Sequence, residues 1–220
     1  GWSFEAAMLP IADVAKKLDL TADDLLFHGP HLAKLSWKTM AKLKEKQSRG
    51  KLVLVSAMTP TKYGEGKTTT TIGLVQGLVR KGAKAMAALR EPSLGPVFGA
   101  KGGGTGGGQA TLEPSARINL HCTGDLHAIT AANNLLADLV DNAINFDQKR
   151  FKQVTWKRCI DMNDRFLRNT VIGLGGTANG VPREDGFDIT AASEVMATLG
   201  LSDGVADLKK RLARLIVGVG

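Results

Sequence analysis

Cysteine is scarce: Cys122 and Cys159 are the only two in 220 residues. Two thiols exclude a multi-bridge disulfide scaffold and point to a reducing, cytoplasmic compartment. Aromatic residues make up only 5% of the chain, too few for the stacking platforms of single-strand nucleic-acid binders. No run approaches the ~18 apolar residues of a transmembrane helix, so no membrane association is expected. The N-terminal stretch Gly1-Trp2-Ser3-Phe4-Glu5 lacks a basic n-region and a long apolar core, and does not read as a signal peptide. Acidic side chains are outnumbered 21 to 29, which leaves a net charge of +8. Part of that excess is Lys38, Lys42, Lys44, Lys46, Arg49 and Lys51. No nucleic-acid-binding motif accompanies them, so a solvated helix face is the simpler reading and no nucleic-acid partner is expected. A basic surface also suits small polyanionic substrates.

Glycine, by contrast, is abundant at 26 residues, and the excess over ordinary usage lies mainly in two loops. The first loop carries the strongest signal. Thr59-Pro60-Thr61-Lys62-Tyr63-Gly64-Glu65-Gly66-Lys67-Thr68-Thr69 follows the apolar run Leu52-Val53-Leu54-Val55 and opens an amphipathic stretch, Ile72 to Val79. Strand, glycine loop, Lys-Thr and helix is the layout of a phosphate-binding loop. Amides at the start of such a helix face an anion, and the helix dipole adds about half a positive charge there. Lys67 reaches terminal phosphates in this layout, and the Thr68 hydroxyl is a candidate ligand for Mg²⁺. The match departs from G-x-x-x-x-G-K-[ST] at one point, because Thr61 stands where a glycine is usual and Gly64 lies two residues before Gly66. The bland alternative is a glycine turn with a surface lysine.

The pattern of the remaining chain implies an α/β fold: a P-loop-NTPase-like, mostly parallel sheet flanked by helices. Residues 1–50 read as a helical lead-in and 51–220 as the nucleotide-binding domain. Helices are expected over 11–19, 31–47, 66–80, 127–144, 155–168, 189–199 and 204–214, with a cap-like turn at Thr21–Asp24. Strands are expected over 51–57, 83–89, 171–174 and 215–217. The segment 91–118 is long, irregular and glycine-rich, which marks it as functional or disordered.

Arg90 directly follows the second expected strand. Ligands of open parallel sheets bind beyond the carboxyl ends of the strands. An arginine there neutralises charge on a transferring phosphoryl or acyl phosphate; the structural alternative is a contact with Glu91 or a helix end. The second glycine loop, Gly102 to Gly108, suits either close wrapping of a ligand or a surface lid. Asp125 is a candidate for holding Mg²⁺ through water, or for capping the helix that follows. His121 and His127 lack the i, i+4 spacing of a zinc helix.

Several co-linear motifs resemble formate–tetrahydrofolate ligase, also called 10-formyltetrahydrofolate synthetase. They are Thr59-Pro60-Thr61 through Thr71, Arg90-Glu91-Pro92-Ser93-Leu94-Gly95-Pro96-Val97-Phe98-Gly99, Asn119-Leu120-His121, Thr123-Gly124-Asp125, His127 to Leu136, Thr155-Trp156-Lys157-Arg158, Asn163-Asp164-Arg165 and Gly186 to Glu194. The chain departs from the family pattern at Gly104-Thr105, Gln109 and Ser115-Ala116-Arg117. The resemblance implies ATP-dependent joining of formate to tetrahydrofolate through formyl phosphate, with Mg²⁺ and a monovalent cation (K⁺ or NH₄⁺) as cofactors and homo-oligomers as the common assembly. It implies Lys67 and Arg90 as catalytic residues. Thr59, Thr61, Gly64, Glu65, Gly66, Thr68 and Thr69 would join Lys67 at the nucleotide. Thr68 and Asp125 would serve the metal. Glu91, Ser93, Gly103, Gly106 and His127 would line the substrate. Family enzymes are more than twice this length, so the alternative is a truncated, non-catalytic nucleotide-binding module or one half of a split enzyme.

Overall fold

A computed structural model describes residues 8–46, 50–61, 63–98 and 103–220. The expectations resting on Gly1–Glu5, Arg49, Lys62, Gly99 and Gly102 lie outside the described residues. In chain order the regular elements are α1 (Ile11–Lys16), β1 (Leu25–Phe27), β2 (Ala33–Leu35), α2 (Trp37–Glu45), α3 (Lys67–Arg80), α4 (Leu94–Val97), β3 (Gly106–Gly107), β4 (Ala110–Thr111), α5 (Ser115–Asn119), α6 (Asp125–Phe146), β5 (Gln153–Val154), β6 (Arg158–Ile160), β7 (Thr170–Ile172), β8 (Arg183–Asp185), β9 (Phe187–Ile189), α7 (Glu194–Gly200), α8 (Val205–Leu212) and β10 (Gly218–Val219). Helix and strand are mixed, as an α/β reading requires. Among the described residues no helix is long and apolar enough to cross a membrane. The chain divides into two compact units.

The first unit holds the described residues up to Pro92 together with Gly103–Thr123. Its entry is a small hairpin, in which β1 and β2 pair antiparallel with Leu25 opposite Leu35. A capping box precedes it: the Thr21 hydroxyl and backbone N–H both donate to the Asp24 carboxylate at 2.9 Å. The helix expected over 31–47 begins only at Trp37, because Ser36 is its N-cap and accepts from the Thr39 N–H at 3.2 Å. Residues 33–35 pair with β1 instead. The largest departure concerns 51–57 and 83–89, expected as buried parallel strands. Neither is helix or ladder strand, and Leu52 and Leu54 are 96% and 84% exposed. An apolar run becomes a strand only where neighbours take its backbone N–H and C=O groups, and no described strand does so here.

The second unit holds residues 93–98 and 124–220. Its spine is α6, which buries Leu126, Ile129, Asn133, Ala137, Val140 and Ile144. Steps of three and four residues put these six on one face. Ile129 and Ala137 meet Trp156 and Val195 in the core, flanked by Leu136, Met196, Leu212, Leu215 and Val217. The helix expected over 155–168 is absent. That segment carries β6 and a 3₁₀ turn, Arg165–Leu167. The side chain of Asn134 explains the change: its amide donates to the Cys159 carbonyl at 3.0 Å and its oxygen accepts the Cys159 N–H at 2.8 Å. This amide therefore acts as a strand neighbour for β6. On its other side β6 pairs with β9, Cys159 opposite Asp188, the one parallel pairing among the described strands. The strand expected at 171–174 appears one residue earlier, as β7; residues 215–217 are not strand, and β10 follows them; both β7 and β10 are in antiparallel pairs. A mostly parallel sheet is thus not what the described ladders form.

Candidate functional site

The phosphate-loop candidate lies in the first unit, where the loop turns twice on glycine. Gly64 has φ +85 and Gly66 φ +68, a left-handed region that costs a side-chain-bearing residue ~1–2 kcal/mol. Thr61, the residue that departs from the common motif, closes the turn: its carbonyl accepts the Gly64 N–H at 3.3 Å, and its hydroxyl donates to the Gly64 carbonyl at 3.2 Å. Gly66 is the N-cap of α3, and no side chain caps that end. A helix leaves its first amides without intrahelical partners, so those of α3 open towards solvent. A Cβ built on Gly66 would meet nothing within 4 Å. Lys67 is exposed at the first helical position, and Thr68 and Thr69 are half-buried beside it. Thr59 and Glu65 are exposed along the loop. Uncapped amides, a lysine and a threonine hydroxyl at one helix end fit a phosphate with its Mg²⁺.

The structure brings the second glycine loop onto this helix. Gly106–Gly107 and Ala110–Thr111 form a hairpin against α3. Ile72, 1% exposed, packs under Gly106. Gln76 donates to the Thr111 carbonyl at 3.3 Å. Gly106 takes φ +89, and a Cβ there would collide with the Ala110 carbonyl, so only glycine fits. Upstream, the Asn119 oxygen accepts the Gly104 N–H at 2.8 Å while its amide donates to the Thr105 hydroxyl at 3.2 Å. A Cβ on Gly104 would come within 2.7 Å of the Pro92 ring. Gly103 is equally confined, by the Asn119 side chain. The loop is therefore built in place beside Pro92. Arg90 is exposed and Glu91 half-buried in the same unit. Arg117, a departure from the family pattern, also has a partner: it donates to the His28 carbonyl at 2.9 Å.

The remaining candidates belong to the second unit. Ser93 is 2% exposed and is the N-cap residue of α4. Asp125 is half-buried at the first position of α6, after the left-handed Gly124; it is not the cap residue itself, but its charge suits the helix dipole. His127 is exposed on the same first turn. Among the described residues no group of three or more His, Cys, Asp or Glu could hold a metal. Residue-by-residue reading passed over Asn119, Asp161 and Asn163, although two of them sit inside the resembling motifs. Asn163 touches Gly95 closely, and Asp161 accepts the Leu94 N–H at 2.9 Å.

The family model for formate–tetrahydrofolate ligase matches residues 3–220. The chain is 60% identical over 211 residues to the formate–tetrahydrofolate ligase of Myxococcus xanthus (strain DK1622), covering 94% of this chain and 38% of that one. It is 56% identical over 217 residues to the protein of the same name from Sphingobium sp. (strain NBRC 103272 / SYK-6), covering 97% and 39%. The chain thus spans about two-fifths of the length of these curated relatives. With the match running almost end to end, from the N-terminal hairpin through both glycine loops to β10, this chain belongs to the formate–tetrahydrofolate ligase family.

Proposed function

We propose that this chain forms the nucleotide-handling part of an ATP-dependent formate–tetrahydrofolate ligase. A carboxylate oxygen of formate attacks the γ-phosphorus of ATP, the bond to the bridging oxygen breaks, and ADP leaves. Formyl phosphate results. N10 of tetrahydrofolate attacks the formyl carbon, loses its proton and expels phosphate, giving 10-formyltetrahydrofolate. The observation that carries this reading is the uncapped N-terminus of α3 behind a left-handed Gly66, with Lys67 at its first position. Lys67 and the first-turn amides hold the phosphates. Thr59, Thr61, Gly64, Glu65 and Thr69 shape the loop, and Thr68 and Asp125 serve Mg²⁺, which neutralises charge on the phosphates. Arg90 stabilises the acyl phosphate, with Glu91, Ser93, Gly103, Gly106 and His127 around the substrate. Phosphoryl transfer needs positioning and charge compensation more than covalent help, and this set supplies both. The same reading includes K⁺ or NH₄⁺ as activator, homo-oligomers, and a cytoplasmic setting.

A second reading, a nucleotide-binding module without turnover of its own, draws on the exposed run Leu52–Leu54 and on the share of the relatives' length that the chain covers. One assay addresses both: formate, MgATP and hydroxylamine, scored for formohydroxamate and ADP. It is run with the chain alone and with the remaining part of the Myxococcus xanthus relative added in trans. Hydroxamate formation that falls ~10²-fold in Arg90→Ala is the expected result, the size of loss typical when one oxyanion-stabilising donor is removed. No turnover in either setting sinks the ligase reading.

A further inference from the structure

The segment proposed to receive the acyl phosphate runs directly into the turn Ser93–Val97, and that turn is bolted down at two points. The Asp161 carboxylate, on a residue only 5% exposed, accepts the Leu94 N–H at 2.9 Å. This takes the place of a cap, since the Ser93 side chain makes no capping bond to α4. One residue on, a Cβ at Gly95 would fall 2.7 Å from the Asn163 backbone nitrogen and 2.8 Å from its side-chain carbon. Asp161 directly follows β6, so it stands at the carboxyl end of the β6–β9 parallel pair. That is the end of a parallel sheet at which ligands bind. From these contacts we infer that Asp161 is a positioning residue: it fixes Ser93–Gly95 within its own unit, and with it Ser93, one of the residues proposed to line the substrate, while Asn163 closes the space behind Gly95. A charged acceptor makes a stronger bond to an amide than a neutral one, which is the chemical reason for a buried aspartate in this role.

This inference rests on the ligase reading, and the test separates the two. Carbamoyl phosphate, an acyl phosphate close in shape to formyl phosphate, and MgATP are titrated separately by calorimetry into wild type, Asp161→Asn, Asp161→Ala and Gly95→Ala. Circular dichroism checks the fold of each variant. Asp161→Ala and Gly95→Ala are expected to weaken carbamoyl phosphate by about tenfold or more, as small misplacements of a binding group do. MgATP affinity stays within about twofold, and Asp161→Asn, which keeps the shape and an acceptor, recovers most of the loss. Should Asp161→Ala fail to fold, Gly95→Ala decides. The inference is overturned if folded Asp161→Ala and Gly95→Ala bind carbamoyl phosphate like wild type, if they lose both ligands equally, or if wild type binds MgATP but not carbamoyl phosphate. Wild type binding neither ligand overturns the nucleotide reading itself.

Discussion

Asp24 shows how a single side chain organises its surroundings. Its carboxyl is held at about 2, first by the backbone N–H of Thr21, then by the hydroxyls of Thr39 and Thr21. A depressed carboxyl stabilises the fold above its ordinary range of about pH 4, and the contribution fades as pH falls through about 2. Carbon-detected NMR titration is expected to place the Asp24 midpoint there and to move it upward in Thr39→Val. An unchanged midpoint would contradict the assigned cause. Cys159 titrates in the opposite sense. Burial pushes its thiol up, against opposing hydrogen bonds from Thr190 and Thr130. The folded chain therefore keeps the proton that the unfolded chain releases above about pH 8.5. Stability from this group is full below that pH and falls as pH rises, by at most ~1.4 kcal/mol per unit. Urea midpoints measured from pH 7.5 to 10 are expected to fall less steeply in Cys159→Ala than in wild type. The Thr21 part of the first effect is local and legible as a cap-like turn, whereas the Thr39 bond and the burial of Cys159 depend on which groups the fold brings alongside.

At the scale of elements, legibility followed how local the cause was. The helices starting at Lys67 and near Asp125 were readable because an apolar stripe and a preceding glycine sit within the same few residues. Residues 155–168 do not form the expected helix because the deciding partner, Asn134, is more than twenty positions away in the chain. The start of α2 lies later than the expected 31 for a nearer reason, the strong cap at Ser36. Asn134→Ala leaves the Cys159 N–H and carbonyl without their partners in a buried setting, at a cost of roughly 1–3 kcal/mol for each unsatisfied group. A drop in urea-unfolding free energy of about 2 kcal/mol or more is expected. Retained stability would mean that β9 alone holds β6.

For the whole molecule, the family and both glycine loops are legible in the sequence, whereas the mostly parallel sheet expected behind the loops is not among the described ladders. Loop chemistry is carried by a few adjacent residues, whereas a sheet depends on which distant segments supply backbone partners. The docking of the Gly106 hairpin onto α3 was also hidden, since Ile72 and Gly106 lie 34 positions apart in the chain. What joins these levels is the claim that the head of α3 binds the phosphates of ATP. Calorimetric titration of MgATP into the wild-type chain and into Lys67→Ala tests it most directly. Saturable one-to-one binding, weakened by tenfold or more (~1.4 kcal/mol or above) in the variant, is the expected result. No binding by the wild-type chain, or equal binding by both, would contradict it.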